Sequence, residues 1–176
     1  MTDREKVVKM AYSALGVVEN SDKSKSHPYI NRILKKYIAG KWDDSVVYWC
    51  SLFVLDIFDR LGIERGFCNG LAASWLSRGN FRKSKAAARQ GDLAIYKRSS
   101  WSTADNVRLE KILGRIKIGE KVSLKDFQGL KCHIYILLGV DYHQKLRMIS
   151  GNDKNSVRID RRDDLRLIAI VNPYGD

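Results

Sequence analysis

Metal-ligand spacings, membrane-length apolar runs and internal repeats are all missing from this chain. It carries three histidines and three cysteines, with no Cys-x-x-Cys pair, so the usual spacing of a zinc site is absent and no metal or cofactor is expected. The cysteines, Cys50, Cys68 and Cys132, are odd in number, which argues against a disulfide framework. No run approaches the roughly 20 apolar residues of a membrane span. The opening Met-Thr-Asp-Arg-Glu-Lys has no apolar h-region, which predicts synthesis in a cytoplasm without a signal peptide. No low-complexity tract is present, and no RNA- or DNA-binding module signature, so no specific nucleic-acid partner is expected.

Acidic residues are also scarce, 20 against 32 Lys and Arg, for a net charge of +12. Such a field attracts polyanions: nucleic acid, anionic lipid or an acidic cell envelope. The basic residues are spread along the chain, with local groups at Lys35-Lys36, Arg82 to Arg89 and Arg158 to Arg166. Hydrophobic residues make up 44% of the 176 positions. That is enough for a packed core in one domain covering residues 1–176, expected as a monomer.

Helical periodicity fills the first half. Thr2-Asp-Arg-Glu5 has the form of a capping box, followed by Val7, Val8, Ala11 and Leu15 on one face. A polar loop, Glu19 to Ser26, precedes a helix that begins at His27-Pro28 and carries Ile30, Ile33, Leu34, Tyr37 and Ile38. A loop from Gly40 to Tyr48 leads into Cys50-Ser-Leu-Phe-Val-Leu-Asp-Ile-Phe-Asp-Arg-Leu-Gly62. There Cys50, Val54, Ile57, Phe58 and Leu61 share a face and Gly62 is the stop. A short helix spans Leu71 to Leu76. From Gly91 the period changes to two. Asp92–Lys97, Cys132–Leu138, Lys145–Ser150 and Arg166–Val171 read as strands, with a hairpin turn at Gly139 to Gln144. Helices followed by an antiparallel sheet predict an α+β domain, interrupted by a polar, basic insertion at 98–131 with a helix near Asn106 to Leu113.

Cys50 at a helix start and His133 inside a strand pair a nucleophile with a base. Unpaired backbone N–H groups at a helix N-terminus favour a thiolate. Taken alone, such a cysteine reads more readily as a small buried hydrophobe that happens to begin a helix. Strand alternation puts His133 with Tyr135 and Leu137, and the polar turn Ser150-Gly-Asn-Asp-Lys-Asn-Ser156 follows the next strand. Asn152 or Asp153 there is placed to accept the imidazole N–H and fix its tautomer.

Six short motifs occur in one order: Trp49-Cys50-Ser-Leu-Phe-Val54, Leu71-Ala-Ala-Ser-Trp-Leu76, Gly91-Asp-Leu-Ala-Ile-Tyr-Lys-Arg98, His133-Ile-Tyr-Ile, Ser150-Gly-Asn-Asp-Lys-Asn155 and Asn172-Pro173. Over Tyr29 to Pro173 this resembles the CHAP-type branch of the NlpC/P60 cysteine peptidases, in particular phage-associated cell-wall hydrolases. The resemblance implies a papain-like fold, N-terminal helices packed on a C-terminal antiparallel sheet. It also implies cleavage of a peptidoglycan amide bond, with Cys50 as nucleophile, His133 as base and Asn152 as orienter. Asp153 stands where that family has glutamine and competes with Asn152; the long insertion is a second departure. Trp49 and Trp75 are candidates to line the substrate groove. The resemblance further implies action on the wall after release by lysis machinery or delivery in a particle. Two other readings stay open: an antibacterial secretion-system effector amidase of the same fold, and a non-catalytic basic nucleic-acid-binding protein.

Overall fold

Amphipathic segments at the start and alternating segments at the end sort into two layers. The computed structural model describes residues 1–19, 27–38, 48–66, 68–162 and 165–175. Most of the two loops expected at Glu19 to Ser26 and Gly40 to Tyr48 lies outside them. Three helices come first, α1 (Asp3–Ser13), α2 (Pro28–Tyr37) and α3 (Cys50–Leu61), then a 3₁₀ segment, Ala72–Arg78. The expected caps are present. Thr2 and Glu5 close a capping box on α1, His27 caps α2 ahead of Pro28, and Gly62 ends α3 in the left-handed conformation.

Five antiparallel strands follow: β1 (Leu93–Lys97), β2 (Cys132–Val140), β3 (Leu146–Asp153), β4 (Ser156–Arg162) and β5 (Leu167–Val171). Their spatial order is β4-β3-β2-β1-β5. One sheet face, with Ile95, Cys132, Ile134, Ile136 and Ile149, packs on α3 in the main core. The other carries a smaller cluster that includes Tyr96, Tyr135, Leu137 and Met148.

Strand β4 and the turn before it differ from expectation. Ser150 to Ser156 is not one loop: β3 runs on to Asp153, Lys154 and Asn155 make a two-residue turn, both at positive φ, and β4 returns. The strand is Ser-Val-Arg-Ile-Asp-Arg-Arg, and only Val157 and Ile159 carry an apolar alternation. Charged residues of this kind suit a sheet edge, which is where β4 lies. The register slips between Ser150 and Asp153, so β3 bulges at Gly151-Asn152, and Asn152 has φ 53°.

The insertion is helical: α4 (Thr103–Lys117) and α5 (Leu124–Phe127) leave and rejoin the β1–β2 hairpin. Ser102 and Asp105 form the capping box that starts α4, and Leu109, Ile112, Phe127 and Leu130 join the main core. At its neck Lys97 pairs with Cys132, and the Arg98 N–H donates to the Lys131 carbonyl at 3.0 Å.

Candidate functional site

The thiol and the imidazole reach this neck from different layers. Cys50 is the first residue of α3 and is 2% exposed. Trp49, just before it, and Phe53, one turn on, press against the bulge at Gly151. A Cβ there would clash with the Trp49 ring and lie 2.8 Å from Phe53 Cβ. That close approach of helix to sheet fixes the height of the sulfur. His133 is the second residue of β2 and 7% exposed. It stacks at a tilt on Tyr135, ring centroids 4.6 Å apart, on the sheet face away from α3.

Arg98 joins the two. Its Nη2 donates to Cys50 Sγ at 3.8 Å and sits 3.1 Å from His133 Nδ1, while Nε donates to the Cys132 carbonyl at 3.1 Å. Its guanidinium carbon lies 4.2 Å from the centroid of the exposed Tyr48 ring. A guanidinium has only donors, so Nδ1 must be the accepting nitrogen and Nε2 carries the proton. Nε2–H then donates to Ser150 Oγ at 2.9 Å, and that hydroxyl donates onward to the Ile134 carbonyl at 2.6 Å. The tautomer is fixed with the lone pair on the thiol side.

Ser150, buried within β3, therefore occupies the orienting position at Nε2. Asn152 shares a cleft of about 290 Å³ with His133, Tyr135 and Arg98, presented by the bulge. Asp153 is engaged elsewhere: its carboxylate accepts from the Tyr135 hydroxyl at 3.4 Å and pairs with Arg162 at 3.4 Å. Trp49 and Trp75 do not face a groove. Both are fully buried. The Trp75 indole donates to Ser51 Oγ at 3.0 Å and its ring meets Phe58 edge-on; the Trp49 indole donates to the Glu19 carboxylate. The exposed aromatic of the site is Tyr48 instead.

Burial pushes the Cys50 thiol above its usual range, opposed by Arg98 and by the Ile134 and Ser51 backbone amides. Burial also holds His133 well below the ordinary imidazole value, with Arg98 and then Arg162 adding repulsion. The resting pair is thus a neutral thiol and a neutral imidazole, not the thiolate expected from the helix start. Desolvation outweighs Arg98 and the two backbone donors here. Cys68 is pushed to about 11 and Cys132 to about 12, both chiefly by burial.

Arg98 and Ser150 were hidden in the sequence for different reasons. Arg98 looks like the tail of a strand. Only the pairing of β1 with β2 brings it beside the start of the histidine strand. Ser150 looks like a turn residue, although the alternation from Ile149 already assigns it to the His133 face. No group of three or more His, Cys, Asp or Glu side chains that could hold a metal ion occurs among the described residues. No described helix is long and apolar enough to cross a membrane. Comparison with family models, with curated proteins and with solved structures returns no match.

Proposed function

We propose that the chain is a papain-like cysteine hydrolase that cleaves an amide bond of peptidoglycan. The observation that carries this reading is that one nitrogen, Arg98 Nη2, touches both the Cys50 sulfur and His133 Nδ1. A nucleophile on a helix start and a base of defined tautomer are therefore both within reach of one guanidinium nitrogen. In the reaction His133 Nδ1 takes the thiol proton as Cys50 attacks the amide carbonyl. The backbone N–H of Cys50 faces the developing oxyanion, a donor of the kind worth about 10²–10³ in rate. The imidazolium then gives its proton to the leaving amine, and water, deprotonated by the same nitrogen, releases the acyl group from sulfur. Ser150 holds the ring through Nε2, with Asn152 at the cleft edge.

The net charge of +12 supports a polyanionic target such as a bacterial wall, reached after lysis-machinery release or particle delivery. The test is turbidity loss of purified sacculi with mass spectrometry of the fragments. Wild-type protein should release peptide or amino-sugar ends, and Cys50→Ala and His133→Ala should abolish release while remaining folded. Full activity in either variant refutes the dyad.

A further inference from the structure

Two clefts meet at the site, and they differ in chemistry. The first holds His133 and is predominantly basic, with Lys97, Arg98, Lys154, Arg162 and Arg166 on its walls against one carboxylate, Asp153, which pairs with Arg162. The second, about 210 Å³, holds Cys50 and is bounded by Leu71, Ala72 and the end of the insertion at Gly129 to Lys131. Among the described residues, only Tyr48 and Arg98 belong to both. The stacked pair is the wall between thiol and imidazole. While Arg98 Nη2 donates to Nδ1, that lone pair is occupied and cannot accept the proton of Cys50.

We infer that Arg98 is a substrate-displaced latch: an acyl donor carrying a free carboxylate beside its scissile amide draws the guanidinium off the sulfur and the imidazole, which joins the two clefts and frees the dyad to react. This rests on the cysteine-hydrolase reading above. Three observations support it. The outer nitrogen Nη1 has no protein partner among the described residues, so the fork has a free donor to offer an anion. The stacking partner Tyr48 is 63% exposed, so the guanidinium lies at a surface rather than locked in the core. Cations outnumber the single carboxylate, Asp153, on the walls of the surrounding cleft, which concentrates an anionic group where the fork can reach it. Arg98 is then a specificity-determining, positioning residue: it reads the carboxylate, and the reading exposes the base.

Alkylation separates this device from wall hydrolysis. Iodoacetate and iodoacetamide are nearly isosteric and differ in charge; each forms an S–C bond at the thiolate sulfur and expels iodide. Rates at Cys50 are read by peptide mass spectrometry of folded protein and normalised to free cysteine. Wild type should favour iodoacetate by more than tenfold. Arg98→Met should abolish that preference and speed the neutral reagent, whereas Arg98→Lys should keep part of the preference. Tyr48→Leu, at an exposed position, should also speed iodoacetamide by loosening the guanidinium, which covers the case of an unfolded Arg98→Met. Equal reagent ratios in wild type and Arg98→Met, or no labelling of Cys50 by either reagent in wild type, overturn the latch. Sacculus hydrolysis with no reagent preference rejects the latch alone; a clear Arg98-dependent preference without sacculus hydrolysis rejects the wall as substrate and keeps the latch.

Discussion

At His133, burial and the charges of Arg98 and Arg162 hold the imidazole well below its usual 6.5. The unfolded chain takes up a proton below that value and the folded chain resists it. Stability from this site is therefore complete above about pH 6.5 and is lost as pH falls toward the folded value, by about 1.4 kcal/mol per unit. Thermal midpoints between pH 7.5 and 5 should fall more steeply for wild type than for His133→Gln; parallel curves would show that the imidazole protonates freely in the fold. Ser150 and Asn152 divide a second question. Ser150→Ala removes the acceptor of Nε2–H, frees the tautomer and should lower kcat by about 10²-fold or more, an effect of the size seen when such orienting bonds are lost. Asn152 sits at φ 53°, so alanine there adds backbone strain, and Asn152→Gly is the cleaner removal of the side chain. If Asn152→Gly is crippling and Ser150→Ala is mild, the orienting role returns to the asparagine.

Helix α3 depends on a missing side chain in β3. Gly151 is not there to make a turn; its absent Cβ leaves room for the Trp49 ring and Phe53. Gly151→Ala should destabilise the fold by about 1–3 kcal/mol through overpacking, seen in a urea midpoint, and should also slow reaction at Cys50 by lifting the helix start. An unchanged midpoint would mean that the helix shifts freely over the sheet. Elements were legible where one local rule spoke clearly. The caps at Thr2, His27-Pro28 and Gly62, and the alternation in β1, β2 and β5, stand in the sequence as they stand in the fold. β4 was not legible, because an edge strand with charge at most positions offers only Val157 and Ile159 as signal. The site was half legible. Residue types and order point to Cys50 and His133, whereas Arg98 and Ser150 acquire meaning only through strand pairing, and the two tryptophans were misplaced because their neighbours, not their type, decide burial.

Across the whole molecule, two of the ordered motifs prove structural. Asp92, fully buried at the head of β1, takes ion pairs from Arg4 at 2.6 Å and Arg82 at 2.8 Å, and Arg4 also donates to Asn172 Oδ1 at 2.8 Å. The first helix, the sheet and the end of the chain are tied through one carboxylate. Asp92→Ala leaves two guanidinium groups facing a void and should cost about 3–5 kcal/mol in denaturant unfolding; a loss below 1 kcal/mol would mean that water replaces the carboxylate. The net charge of +12 makes a separate forecast. Binding of the protein to sacculi should weaken several-fold between about 50 and 300 mM NaCl, as screening shortens the reach of surface charge. Binding indifferent to salt would point to a neutral saccharide or peptide as the main attachment.

The neck between Arg98 and Lys131 gives the insertion an interchangeable character. Both ends leave the sheet at adjacent rungs, so the strands do not register how long the excursion is. Doubling its length costs only about 0.6 kcal/mol of closure entropy in a flexible loop. What does change is the rim: Gly129, Leu130 and Lys131 border the thiol. Descendants of this fold could therefore trade one helical cassette for another and acquire a new appetite, provided the replacement refills the core positions of Leu109, Ile112, Phe127 and Leu130.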